Sequence, residues 1–193
     1  MAKSLSNIIR AGSSATPLPV SFGGTGVSTS TGSGALVRAT APSISNAVLS
    51  TPSLTTPVLT SYSSIQALLE TATVSTSAPS STTNFDVITQ AVQYYTSNTT
   101  TNFTLNFRGN DSTALNAIMS IGQSATIALI VTNSTTAYYP STIQIDGTSQ
   151  TVKWQNGTAI SSGNASALDV YTFTAIKTAA NTYTVLGSQT KFA

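Results

Sequence analysis

In the stretch FTLNF, Phe103, Leu105 and Phe107 alternate with Thr104 and Asn106, a period of two that predicts a strand with one buried face. Similar patterning runs through the chain from about residue 84 onward. DVITQAVQYYT (86–96) reads as a strand, and DVYTFTAI (169–176) pairs with TYTVLGS (182–188) across KTAAN. TIQI (142–145) and TSQTVKW (148–154) flank Asp146-Gly147, whose residues tolerate the positive φ of a two-residue hairpin. ATIALIVT (125–132) is apolar on both pleat faces. That places it centrally in a sheet or at a subunit contact, with Ile127 and Leu129 as candidate contact residues.

Two short stretches carry helical spacing instead. In SSIQALLETA, Ile65, Leu68, Leu69 and Ala72 fall at i, i+3, i+4 and i+7, and Ser63 and Gln66 have capping-box spacing. A helix this short needs its apolar face docked, so Ile65, Leu68 and Leu69 are further candidate oligomer contacts. ALNAIMSI (114–121) predicts a second short helix, capped by Asp111 or Ser112 and ended by Gly122.

Before about residue 62 the periodicity disappears. From Ala11 to Ser64, Ser and Thr dominate, Pro and Gly punctuate, and Arg38 is the sole charge. Such a segment cannot bury enough apolar surface to fold alone. It is nevertheless patterned: APSISNAVLS (41–50) and TPSLTTPVLT (51–60) superimpose as a ten-residue unit with Val and Leu in matching places. Its prolines suit edges and turns. The glycines of SFGGTGVSTSTGSG (21–34) have neither the Lys of a phosphate loop nor a helix behind them, so Gly23, Gly24 and Gly26 read as hinges in an extended docking arm. The expected organisation is an attachment arm over 1–61, a short helix and linker over 62–78, and a β domain over 79–193. The expected class is mainly β, with a compact antiparallel sandwich or jelly roll after the arm.

Charged residues make up 6% of the chain, replaced by Ser, Thr and Asn. Seven scattered cations and a net charge of +2 form no basic stripe, so the isoelectric point near 9.0 does not signal nucleic-acid binding. No apolar run is long enough to cross a membrane as a helix, and MAKSLSNIIRAGSS lacks the apolar core of a secretory signal. The six N-x-S/T sequons are what this composition gives by chance. There is no His and no Cys, which removes the commonest general base, thiol nucleophile and thiolate metal site. The carboxylates Glu70, Asp86, Asp111, Asp146 and Asp169 are widely separated, with Asp146 explained by its turn and Asp111 by a cap. The expectation is a protein with no catalytic residues, no cofactor and no metal site. The aromatic pairs Tyr94-Tyr95 and Tyr138-Tyr139, with Trp154, read chiefly as β-core residues, and alternatively as stacking surfaces for sugar rings.

The segment LPVSFGGTGVSTSTGSGALV, followed by the ten-residue repeats, resembles the GGTG and TPxL segments of tailed-bacteriophage tail-fibre proteins. The C-terminal part is similar to a β domain of virion structural proteins from cyanobacterial and other aquatic phages, most specifically at KWQNGTA (153–159) and DVYTFTAIK (169–177). The resemblance implies a non-enzymatic, usually trimeric particle component, located in the virion and made in the host cytoplasm. Its implied partners are other virion proteins, through the arm, and a host surface polysaccharide. A chain with one β domain also fits a capsid decoration or head-fibre protein; a carbohydrate-binding adhesin is a third alternative.

Overall fold

The computed structural model describes residues 69–193. The arm hinges Gly23, Gly24 and Gly26, the ten-residue repeats, and Ile65 and Leu68 lie outside them. Ten strands and one short helix follow in order: β1 (Ala72–Ser75), β2 (Thr82–Asp86), β3 (Val92–Asn98), β4 (Phe103–Arg108), α1 (Leu115–Ile118), β5 (Ser124–Thr132), β6 (Pro140–Ile145), β7 (Thr148–Ser149), β8 (Val152–Trp154), β9 (Leu168–Ala179) and β10 (Thr182–Phe192). They form two sheets, one ordered β1-β3-β5-β9-β10-β8 and the other β2-β4-β6-β7.

The mainly β class is as expected, but the pairing is mixed rather than antiparallel. The chain steps back and forth between the sheets, so that β1, β3 and β5 run parallel in one and β2, β4 and β6 run parallel in the other. Parallel neighbours need a long crossover. Among β1 to β6 each crossover runs through a strand of the opposite sheet, which removes any need for covering helices; β8 and β10, also parallel, are joined through β9 of their own sheet. Antiparallel order enters with β9, which pairs with β5 on one side and β10 on the other. The β9–β10 hairpin lies where expected, turning at Ala180–Asn181 with Asn181 at φ 51°.

Side chains from both sheets meet between them. Phe85, Phe103, Leu105, Phe107, Ile143 and Ile145 come from the smaller sheet; Ile127, Leu129, Val131, Tyr171, Phe173 and Val185 come from the larger. The predicted alternation in FTLNF holds, with Phe103, Leu105 and Phe107 all buried. Phe107 joins the layers by tilting against Phe173 across the interface, ring centroids 5.4 Å apart.

Three local expectations change. DVITQAVQYYT is the end of β2, a turn and β3, because the Thr89 and Gln90 amides close back on the Asp86 carbonyl. Of SSIQALLETA, the described part is not helical: Leu69 is 97% exposed and Ala72 opens β1, paired with Val92. The second helix is one turn long and neither Asp111 nor Ser112 caps it. Asp111 instead joins Asp86 around the Arg108 guanidinium, at the cross-strand pair of β2 and β4.

Candidate functional site

β5 lies between β3 and β9, so its two-sided apolar character is that of a central strand. Ile127 and Leu129 point into the core of their own chain, with Leu129 fully buried. This corrects their assignment as oligomer contacts: a folded chain cannot present them to a partner. Outward from the same strand face Ala128 and Ile130, both half-buried. Ile130 is in register with Tyr94, Tyr94 with Val74, and on the other side Ile130 with Val170. These four side chains form an apolar ridge across the solvent face of the larger sheet, ending at Val74, which is 61% exposed.

The aromatic residues divide between core and surface. Tyr95 is buried, and burial raises its phenol above the ordinary value. Tyr139 and Trp154 are half-buried and border one cleft, about 220 Å³, between β6 and β8 at the open side of the sandwich. Trp154 stands edge-on to Phe173 with ring centroids 5.7 Å apart. Its ring passes over Gly187 of β10, where a Cβ would lie 3.0 Å from Trp154 Cζ3 and 2.7 Å from Val152 Cγ1. The absence of a side chain at Gly187 is what admits the indole. Tyr139 is held by its backbone, the amide donating to Asn102 Oδ1 at 3.1 Å and the carbonyl accepting from the Phe103 amide at 3.3 Å.

Polar groups line the remainder of the cleft. Ser141 and Thr142 come from β6, and Gln150 is tethered by its Nε2 donating to the Thr148 carbonyl at 3.0 Å. Among the described residues, no carboxylate, ammonium or guanidinium borders it. On the other side of Trp154 a shallower groove of about 460 Å³ runs along the sheet surface past Thr172, Thr174 and Ser188, with Lys153 at its edge. The described lining thus sets aromatic surface beside hydroxyl and carboxamide groups.

Asp169, one of the separated carboxylates, is fully buried and satisfied. Its Oδ2 accepts from Asn133 Nδ2 at 2.9 Å, from the Asn164 amide at 2.8 Å and from the Tyr171 hydroxyl at 3.3 Å, while Oδ1 accepts from Gln189 Nε2 at 3.3 Å. Asn133 in turn accepts from Thr99 and from the Tyr138 amide. Burial, with the adjacent Asp169 charge, raises the Tyr171 phenol far above its ordinary value. This network anchors the loop before β9 and accounts for the Asn133 sequon, whose side chain is inside the protein. Gln150, Gly187 and the Asp169 partners were missed by sequence reasoning. Only Gly187, interrupting the apolar alternation of β10, carried a local signal.

No protein-family model, curated protein or solved structure matches the chain.

Proposed function

We propose that the chain is a non-enzymatic structural component of a tailed-phage virion, a short tail-fibre protein anchored by residues 1–61 and displaying its β domain. The observation that supports this most is the meeting of KWQNGTA and DVYTFTAIK, the two stretches most specific to the resemblance. Trp154 of the first packs on Phe173 of the second. The two stretches thus form one packing unit in the fold.

A homotrimer completes the reading. The ridge Val74–Tyr94–Ile130–Val170 is the outward apolar surface such an assembly would cover. Light scattering is expected to give about three times the chain mass of 19.7 kDa. A clean monomer at micromolar concentration refutes the trimer.

The virion assignment is tested by quantifying the protein in purified particles and locating it with a labelled antibody. A tail position with few copies is the expected result. A copy number matching the capsid lattice makes it a decoration protein instead, and absence from the particle overturns both.

A further inference from the structure

We propose that the cleft between β6 and β8 binds a neutral oligosaccharide, with Tyr139 and Trp154 as its stacking surfaces. The inference rests on the chemistry of the cleft and stands whether or not the chain belongs to a virion.

A pyranose ring has a face of C–H groups and a rim of hydroxyls, so it needs flat apolar surfaces and hydrogen-bonding groups side by side. The cleft provides both. Tyr139 and Trp154 supply aromatic surface, while Ser141, Thr142 and Gln150 supply hydroxyl and carboxamide groups. Backbone groups add to these. Residues 140–142 of β6 lie beside β4 on one side, while on the other β7 reaches only Gln144 and Ile145 and the Gln150 amide donates to the Ile143 carbonyl at 2.8 Å. That part of β6 is therefore a sheet edge.

Charge selects among sugars. An acidic sugar residue placed between β6 and β8 would lose water and meet no cation among the described lining residues, since Lys153 borders only the groove beyond Trp154. A neutral ring loses only hydrogen bonds that the cleft replaces. The site is also pre-formed: Phe173 and Gly187 fix the indole, and Tyr139 is tied at both backbone atoms. Little ordering then opposes binding. Because Trp154 also borders the groove past Thr172, Thr174 and Ser188, a chain of several sugars can extend over its rim from one depression to the other.

Trp154 is the sole tryptophan, so indole fluorescence reports directly on the cleft. The full chain is screened on a broad glycan array and titrated with cellohexaose, maltohexaose and chitohexaose, with polygalacturonate and a proline-rich peptide as comparators. A saturable change in Trp154 emission with at least one neutral glycan is expected. Calorimetry of that glycan should show Tyr139→Ala and Gln150→Ala each weakening binding about tenfold. Gln150→Ala should leave the melting temperature unchanged, keeping the test independent of folding. No saturable change with any neutral glycan up to about 10 mM overturns the proposal. So does response only to polygalacturonate or the peptide, or wild-type affinity in both variants.

Discussion

The carboxylate of Asp146 closes the open end of α1 from thirty-one positions away, accepting the Leu115 amide on Oδ1 at 2.7 Å. Its Oδ2 takes the next amide, Asn116, at 2.9 Å. A helix of one turn leaves most of its backbone amides without partners in the helix. One turn residue thus fixes the hairpin between β6 and β7 and the entry of α1 together. Asp146→Ala is expected to destabilise the chain by about 1–2 kcal/mol, as for loss of a helix cap. Asp146→Asn should cost less, because Asn keeps an acceptor and tolerates the φ of 49° found here. Urea denaturation of the two variants checks the order; equal stability to wild type would remove the cap from the account.

Replacing Asp169 by Ala should be far more damaging. It leaves the Asn133 and Gln189 carboxamides and the Asn164 amide facing a buried space with no acceptor. Removal of one partner from a buried network costs about 3 kcal/mol or more. The expected readout is a lower urea midpoint together with early proteolysis in the loop preceding β9. An unchanged midpoint contradicts the assigned network.

Stability should also fall in alkali with a slope that belongs partly to Tyr171. Its folded pKa lies above the ordinary 10.0, chiefly through burial and then through Asp169. The folded chain therefore keeps a proton that the unfolded chain releases once pH passes about 10, so this contribution is complete below that pH and is lost progressively above it. Tyr95 and Tyr183 are shifted in the same direction, each mainly by burial, and add to the slope. Melting temperatures from about pH 8 to about pH 11 should decline less steeply in Tyr171→Phe than in wild type. A parallel decline would exclude Tyr171 as a source.

Leu129→Ala should behave as a core substitution and not as an interface one. A loss of about 2–5 kcal/mol is expected, with the oligomeric mass unchanged while the protein remains folded. Ile130→Lys, on the opposite face of the same strand, should leave the core intact and reduce any self-association. Light scattering beside urea denaturation separates the two. A shift in mass from Leu129→Ala alone would return that residue to the subunit contact.

Strand existence was legible because each pleat face has its own polarity: Phe103, Leu105 and Phe107 read as inward from three letters each apart by one polar residue, and they are inward. Partner choice was not legible. Alternation reports which side of a strand is buried and says nothing of which strand lies beside it, so β2, β4 and β6 could not be recognised as parallel neighbours. The turn signal at Asp146-Gly147 was read correctly, with both residues at positive φ. Its second role at Leu115 depends on a tertiary approach that no local pattern encodes. The helical spacing at Ile65–Ala72 falls mostly outside the described residues; within them an i, i+4 match is compatible with a strand start as well, and Ala72 pairs with Val92. For the cleft, Tyr139 and Trp154 stood out by residue type, but their meeting depends on which edges the two sheets leave open.

The back-and-forth winding of the strands has a kinetic consequence. Each parallel pair among β1 to β6 joins residues separated by a whole strand of the other sheet, so closing one requires ordering a long loop before any contact rewards it. The β9–β10 hairpin is exempt: its eleven register pairs grow outward from a tight turn. It is therefore the natural first structure, able to form on the microsecond scale of hairpins. β5 can then add to its free side, and the earlier strands wind on in reverse order of the chain. Such a fold would be completed only after β9 and β10 leave the ribosome, when their hairpin becomes available to the strands synthesised before it.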